Sequence, residues 1–200
     1  NSLSKISDPM WEPLYDNFSK YAALTQAEFE ICKSSFTTKR FRKRQFILQD
    51  GEICRWETFI VSGCARIYEV DEKGQEHVLQ FGLEGWWVGD LYSFLTLHPS
   101  TLCIDCLEDC EVLQISKTNL DLLYGIVPKL ERFFRILMQN AFIASQKRIL
   151  TKLAKPALEQ YIEFINKYPT IEQRVPDHQI ASYLGITPQS LSRIRKQNQL

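Results

Sequence analysis

The sequence lacks the features of a membrane protein and of a protein that coats nucleic acid by charge alone. None of its 200 residues lies in an apolar run that approaches the ~20 residues needed to cross a bilayer. Residues 1–16 lack the basic-then-apolar order of a secretory signal. Lysine and arginine total 24, and aspartate and glutamate also total 24, so the chain carries no net charge. We therefore expect a soluble, cytoplasmic protein with no membrane partner.

Motifs of catalysis are also missing. We find no nucleophile with an adjacent base, no paired carboxylates, no metal-ligand set and no glycine loop that could hold a phosphate. The histidines His77, His98 and His178 are scattered singly. The sequence therefore predicts a protein that is not an enzyme and that needs no cofactor.

Three of the six cysteines, Cys103, Cys106 and Cys110, have a spacing typical of ligands. On a strand, however, Cys103 and Cys106 point to opposite faces, because three residues is an odd step. We interpret these cysteines as reduced, buried thiols. A redox or metal sensor built from the three residues is the alternative.

The residue pattern changes twice along the chain, from helical to β-like and then back to helical. A capping box at residues 25–28 predicts a helix near the start. Residues 41–116 then form short β-like runs separated by turn signals such as Asp50-Gly51 and Ser62-Gly63. About eight short strands at this spacing indicate a sandwich or roll of antiparallel sheet.

After Pro128 the period becomes helical, and no glycine or proline interrupts residues 129–153. A stripe of residues at three- and four-residue steps runs along this helix: Leu130, Phe134, Leu137, Ala141, Ala144 and Arg148. We interpret the stripe as a seam shared with a second subunit. The alternative is a helix that lies on its own sheet. Lys155-Pro156 then marks a domain boundary, followed by a helix at 157–168 and an extended piece at 171–175.

Residues 177–196 carry the most specific pattern in the chain, that of a helix-turn-helix. Ile180, Ala181, Leu184, Gly185, Ile186, Leu191 and Ile194 have the required spacing. Gly185 suits a turn with positive φ, while Thr187 and Pro188 suit the N-cap and first position of the second helix.

The pattern leaves one set of polar residues facing outward at or near the second helix: Thr187, Gln189, Ser190, Ser192, Arg193, Arg195 and Lys196. Gln189 can pair with an adenine edge and Arg193 with a guanine edge or a phosphate. Arg195 and Lys196 suit phosphates. We expect this set to bind double-stranded DNA.

From residue 41 to residue 196 the chain resembles the Crp/Fnr family of bacterial regulators. The resemblance rests on Asp50-Gly51-Glu52, the hairpin at 71–76, Gly89-Asp90-Leu91, Cys110-Glu111-Val112 and the helix after Pro128. It implies an α+β fold with an N-terminal cyclic-nucleotide-binding-type β-roll, a long dimerisation helix and a C-terminal winged-helix domain. Homodimers of this kind read palindromic operators, and RNA polymerase is a further expected partner.

The resemblance also implies a ligand pocket made by Gly89, Asp90, Leu91, Ser100, Thr101 and Ser145. In nucleotide-binding members the phosphate cradle, here residues 89–101, ends with an arginine, whose place falls on Ser100. No lysine or arginine occurs between Lys73 and Lys117 to replace it. A buried cyclic phosphate would then lose its strongest partner. We therefore expect an effector other than cyclic AMP, or none.

The sequence predicts three segments and leaves one competing function open. The segments are a sensor domain at 1–127, a dimerisation helix at 128–154 and a DNA-binding domain at 155–200. Because the chain stops at Leu200, we expect the β-wing to be missing or truncated. The competing function is a protein-interaction module that does not bind DNA.

Overall fold

A computed structural model describes residues 8–198 of the chain. The N-terminal part contains two helices followed by a set of short strands. In chain order the elements are α1 (Glu12–Ser19), α2 (Gln26–Ser35), β1 (Thr37–Phe41), β2 (Phe46–Leu48), β3 (Trp56–Ser62), β4 (Ala65–Val70), β5 (Glu76–Gly82), β6 (Trp87–Val88), α3 (Leu91–Thr96), β7 (Leu102–Cys106), β8 (Cys110–Ser116), α4 (Lys117–Ile126), α5 (Lys129–Ala154), α6 (Ala157–Lys167), α7 (Ile171–Arg174), α8 (Asp177–Leu184) and α9 (Pro188–Asn198).

The strands form two four-stranded sheets, in the orders β1-β8-β3-β6 and β2-β7-β4-β5. The pairings of β8 with β1 and with β3 are antiparallel, and so is the pairing of β2 with β7. This is the predicted β-roll, and the predicted fold class is confirmed.

Local contacts and backbone conformations fix where several helices and turns begin or end. At α2 the Thr25 side chain accepts a bond from Glu28 N at 3.2 Å, and the Glu28 carboxylate accepts one from Thr25 N at 2.7 Å. The predicted capping box is therefore present. At the β3–β4 turn, Gly63 has φ +99°, and an added Cβ would lie 2.4 Å from the Asp109 carbonyl oxygen. A larger residue at position 63 would push the β3–β4 turn away from the turn between β7 and β8, which contains Asp109.

An aromatic cluster joins α1 and the first half of α5 to the roll. Phe18 makes an edge contact with Phe133, at a ring-centroid distance of 4.9 Å, and Trp87 makes one with Phe134 at 5.1 Å. Phe18, Phe59 and Phe133 are almost completely buried. Rings of this size contribute much of the burial energy of a core.

The chain divides into two compact units. The first comprises residues 1–67 and 81–138, and the second comprises residues 68–80 and 139–200. The division therefore falls inside α5 and assigns the tip of the β4–β5 hairpin to the second unit. The three segments expected from the sequence are a functional division and stay a prediction.

The two halves of the α5 stripe lie in different surroundings. Leu130 and Phe134 are buried in the core of the first unit, and Leu137 packs against that core. These residues face the chain's own domain, so the predicted seam is wrong for the first half of α5. Ala141 and Ala144 are exposed. Within residues 8–198, no helix is both long enough and apolar enough to cross a membrane.

In the second unit, the hairpin tip contacts helices α5 and α8. The Ser182 hydroxyl accepts a bond from Val78 N at 3.0 Å and donates one to the Glu76 carbonyl at 2.7 Å. The Arg148 guanidinium donates to the carbonyls of Val78 and Tyr183, at 3.1 and 3.3 Å. Arg148 is thus bound inside its own unit.

One local prediction fails in this unit. Residues 171–174 form the short helix α7, although we expected an extended piece at 171–175. Ile171 is fully buried and Val175 nearly so. Burial of Ile171 outweighs its preference for extended backbone, whereas Val175, the residue after α7, keeps the extended conformation.

Candidate nucleic-acid interface

The turn between α8 and α9 has the geometry that the sequence predicts. Gly185 adopts φ +71°, a left-handed conformation that favours glycine, and its N–H bonds to carbonyls at the end of α8. Ile186 N donates to the Ala181 carbonyl at 3.0 Å. Together these bonds satisfy carbonyls that the end of α8 would otherwise leave unpaired.

The start of α9 is fixed by Thr187. Its side-chain oxygen accepts a bond from Ser190 N at 3.2 Å and lies 3.0 Å from the Ser190 hydroxyl. Pro188 then occupies the first helical position. The predicted N-cap is confirmed, and the hydroxyls of Thr187 and Ser190 are used within the turn.

A buried apolar core fixes the orientation of α9. Leu191 and Ile194 are buried, as are Ile180 and Leu184 of α8. Tyr161 and Phe164 of α6 complete this core. Because one side of α9 is held inside, the opposite side must face solvent.

The solvent side of α9 carries Gln189, Ser192, Arg193 and Lys196, which we call the recognition face. All four are exposed. In the part of the chain that the structure describes, Arg193 makes neither an ion pair nor a hydrogen bond through its side chain. Its guanidinium is therefore free to pair with a phosphate or a base edge.

Arg195 departs from the expected outward position. It is half-buried and forms ion pairs with Glu172 at 2.8 Å and with Asp177 at 2.7 Å. Tyr161 also donates its hydroxyl to Glu172 at 2.7 Å. Because its guanidinium is paired with these two carboxylates, Arg195 holds α9 against α7 and α8 rather than facing solvent freely. Neither carboxylate could be paired with Arg195 from sequence spacing alone.

In the first unit, the predicted cradle is closed by its own hydrogen bonds. The buried Asp90 carboxylate accepts bonds from Tyr92 N at 3.0 Å and Ser93 N at 3.3 Å, and so caps α3. Ser100 donates its hydroxyl to the same carboxylate at 2.6 Å. Asp90 and Ser100 are thus brought together, but they form a hydrogen bond with each other instead of facing a ligand.

Sequence reasoning missed a second carboxyl group at the cradle, that of Glu57. An added Cβ on Gly89 would lie 3.0 Å from a carboxyl oxygen of Glu57. Burial, followed by the charge of Asp90, raises the pKa of Glu57 to about 8. The sequence feature that could have revealed Glu57 is the presence of an acidic residue inside the largely apolar strand β3.

The other residues of the predicted pocket are less enclosed. Leu91 and Thr101 are exposed. Ser145 is exposed on α5 and belongs to the second unit. Of the predicted pocket, the structure therefore brings together Gly89, Asp90 and Ser100.

All six cysteines lie within the described residues, where each is buried and forms no disulfide. Cys106 and Cys110 belong to the main core of the first unit, whereas Cys103 lies outside that cluster. The side-chain hydrogen bond between Cys106 and Cys110 raises the pKa of Cys106, because it keeps a proton between the two sulfur atoms. Among the described residues, no three histidine, cysteine or acidic side chains are placed to hold one metal ion.

Comparison with known proteins shows that the chain is similar to regulators. Residues 38–124 match the family model of the cyclic nucleotide-binding domain. The chain is 30% identical over 171 residues to the fumarate and nitrate reduction regulatory protein of Vibrio cholerae. It is 31% identical over 168 residues to the protein of the same name from Yersinia pestis. Both alignments cover 78% of this chain and 66% of the relative, so the chain spans just under two thirds of those relatives' length.

Solved structures show the same fold at lower identity. FixK2 from Bradyrhizobium japonicum superposes with a TM-score of 0.69 at 20% identity, covering 81% of this chain and 83% of that one. The c-di-GMP responsive global regulator CLP of Xanthomonas campestris gives 0.70 at 15% identity, covering 88% and 92%. The described helix-turn-helix thus stands in a chain whose overall fold matches that of known regulators.

Proposed function

The chain belongs to the Crp/Fnr family, and on that premise we propose that it is a DNA-binding transcription regulator. In this proposal the β-roll is the sensor and α9 enters the major groove. The named relatives are regulators and not enzymes, which supports a non-catalytic role. A cytoplasmic location and RNA polymerase as a further partner follow from the same proposal.

The recognition face of α9 is the observation that carries the proposal. Arg193 has no partner within the described chain, and Gln189, Ser192 and Lys196 are exposed beside it. The buried side of α9 fixes these groups on a rigid rod. Arginine and glutamine on such a rod can read guanine and adenine edges, while lysine neutralises a phosphate.

We propose that the chain acts as a homodimer through the second half of α5. Five large apolar side chains are exposed there: Phe142, Ile143, Ile149, Leu150 and Leu153. Leu153 is 80% exposed. An apolar strip of this kind on one helix is typical of a surface that pairs with a second helix. A dimer would present two copies of α9 to a palindromic operator.

We further propose that the effector, if the chain has one, is not cyclic AMP. The carboxylate of Asp90 and the buried carboxyl group of Glu57 stand at the cradle, and Ser100 bonds to Asp90. A cyclic phosphate would meet negative charge there instead of an arginine.

One binding experiment tests these proposals together. Operator fragments would be selected from genomic duplex DNA with the purified chain, and binding would then be measured by fluorescence anisotropy at several salt concentrations. We expect two chains per duplex, salt-dependent affinity and no response to added cyclic AMP. Arg193→Ala should weaken binding to the selected site by about 10- to 100-fold, the loss of a bidentate base contact.

The matched control is Arg42→Ala. Arg42 is also an exposed arginine but lies between β1 and β2, outside the helix-turn-helix. It should leave DNA affinity unchanged. A chain that does not select duplex DNA at any salt concentration, or an Arg193→Ala variant that binds as well as wild type, would favour the interaction module instead.

A further inference from the structure

The second unit contains a partly open cleft between helices α5, α6 and α8, which we call the helical cleft. Its volume is about 190 Å³, and the residues that line it all belong to the second unit. A cavity of about 150 Å³ is enough to hold a benzene molecule. The helical cleft therefore has room for one small organic molecule.

The floor of the helical cleft is apolar. Phe164 of α6 and Tyr183 and Leu184 of α8 line it, and all three are buried. The centroids of the Phe164 and Tyr183 rings lie 5.0 Å apart. Contact with such side chains removes apolar ligand surface from water. The floor therefore favours a ligand with an aromatic or compact apolar body.

Four cationic side chains also line the helical cleft: Lys147, Arg148, Lys152 and Lys167. Lys147 and Lys152 are exposed, and neither ammonium group forms a hydrogen bond or an ion pair with any of residues 8–198. Partial loss of hydration, followed by the charge of Arg148, lowers the pKa of Lys152 and of Lys167. A bound anion would offset this repulsion between like charges.

A carboxylate, that of Glu163, lines the helical cleft as well. It accepts a hydrogen bond from the Thr151 hydroxyl at 2.8 Å and forms an ion pair with Lys155, which is not part of the lining. Because Lys155 already pairs with this carboxylate, the lining that the structure describes keeps an excess of positive charge. That excess favours an anionic ligand.

The cleft side of α5 lies opposite the apolar strip of the same helix. Lys147 and Thr151 line the cleft, whereas Ile149 and Leu153 belong to the strip. At 3.6 residues per turn, these two pairs lie on roughly opposite sides of the helix. A dimer formed through the strip would therefore leave the helical cleft accessible. Of the described residues of α9, none lines the cleft, so the recognition face is separate from it.

From this arrangement we propose that the helical cleft binds a small organic carboxylate with an aromatic or compact apolar body. The body would lie against Phe164 and Tyr183, and the carboxylate would lie beside the ammonium groups of Lys147 and Lys152. A carboxylate is a small anionic group, and a cleft of about 190 Å³ leaves little room for a larger one beside a ring. The proposal concerns a site in the second unit and does not depend on whether the chain binds DNA.

The test uses the full chain and two probes of the same shape. Benzoate carries the carboxylate, and benzamide replaces it with an uncharged amide. Binding would be measured from the shifts of backbone amide signals in ¹⁵N-NMR spectra, which also show where a probe binds. We expect saturable binding of benzoate, with its largest shifts at cleft residues of α5, α6 and α8. Benzamide should bind at least tenfold more weakly, and so should inorganic phosphate, which lacks an apolar body.

Variants separate the charge of the helical cleft from its space. Lys152→Gln removes one cation of the lining and should weaken benzoate several-fold while leaving benzamide unchanged. Ala144→Trp fills the cleft from an exposed position of α5 and should abolish binding of both probes. The matched control, Lys196→Gln, removes an exposed lysine of the same unit outside the cleft and should affect neither probe. Circular dichroism checks that each variant is folded.

Several results would overturn the proposal. Equal binding of benzoate and benzamide, or equal binding of benzoate to wild type and Lys152→Gln, would mean that the cations do not hold the anion. Unchanged binding to Ala144→Trp, or shifts centred outside the cleft, would mean that the probe binds elsewhere. A wild-type chain that does not bind benzoate, combined with a loss of DNA affinity in Lys152→Gln, would show instead that the cations of the cleft contact DNA.

Discussion

In α9 the arginine at position 193 is exposed and has no partner among residues 8–198, whereas in the cradle Asp90 and Ser100 bond to each other at 2.6 Å. Both were expected to bind ligands, Arg193 because the helix-turn-helix spacing leaves it facing outward and the pair Asp90 and Ser100 because of their match to family positions. The difference lies in where their hydrogen-bonding capacity is used. An unpaired surface group can bind a partner at little cost, while a group that is already paired inside the fold must first break a bond.

Changes in the two regions should therefore have opposite effects. Substitutions in the cradle should alter folding stability and leave DNA affinity unchanged. Substitutions on the recognition face should alter DNA affinity and leave stability unchanged. Variants of Glu57, Asp90, Arg195 and Lys196 test this separation.

The largest effect should come from Glu57 and should depend on pH. Its pKa is raised from 4.5 to about 8 in the folded chain, so between these values the folded form keeps a proton that the unfolded form releases. The stabilisation from this bound proton is full below about pH 4.5 and is lost as pH rises to about 8. Glu57→Gln cannot ionise and should avoid this loss. Near pH 8 its free energy of unfolding should exceed that of wild type by a few kcal/mol, on the order of the shift at about 1.4 kcal/mol per pKa unit.

Urea denaturation at a series of pH values measures this difference. Glu72→Gln, a change at an exposed glutamate of the β4–β5 hairpin, is the matched control and should follow the wild-type curve. Parallel pH curves for Glu57→Gln and wild type would show that the Glu57 carboxyl is ionised in the fold, and the cradle would then be less enclosed than we describe.

A smaller loss of stability should follow from Asp90→Ala. This change removes the two backbone bonds that cap α3 and leaves the Ser100 hydroxyl only its longer bond to the Leu102 carbonyl, at 3.3 Å. We expect a loss of about 2 kcal/mol in the free energy of unfolding. The removal of the Asp90 charge also eases the ionisation of Glu57, so the loss should be smaller at pH 8 than at pH 6.

Asp16→Ala, at an exposed position of α1, is the control for Asp90→Ala and should cost little. DNA affinity should be unchanged for both variants at a temperature where both are folded. A variant of Asp90 that is fully stable but has altered DNA affinity would show that the cradle affects DNA binding, contrary to the expected separation.

The helix-turn-helix was predicted accurately because its signals are local. Gly185, Thr187 and Pro188 lie within four residues of each other, and each decides a backbone conformation by its own chemistry. The turn at Gly185 and the start of α9 at Pro188 are the predicted ones. The strands of the roll follow similarly from turn dipeptides and alternation.

The residues that were misjudged depend on distant parts of the chain. Arg195 pairs with carboxylates 23 and 18 residues earlier, and its half-buried state follows from them. Glu57 is buried beside Gly89, which the pairing of β3 with β6 brings close. The stripe of α5 has the same period in both halves, and periodicity does not say whether a helix covers its own domain or another chain.

The smallest effect should distinguish the neighbouring residues Arg195 and Lys196. Lys196→Gln removes an exposed cation from the recognition face, and the slope of log Kd against log salt should fall by about 1, the value for one lost phosphate contact. Arg195→Gln breaks two partly exposed ion pairs and should cost about 0.5–1 kcal/mol of stability with no change in that slope. Anisotropy titrations over a salt series, with urea denaturation of the same samples, measure both quantities. An equal loss of slope in the two variants would mean that Arg195 leaves Glu172 and Asp177 to contact DNA. Its partners in the free chain would then no longer predict its role in the complex.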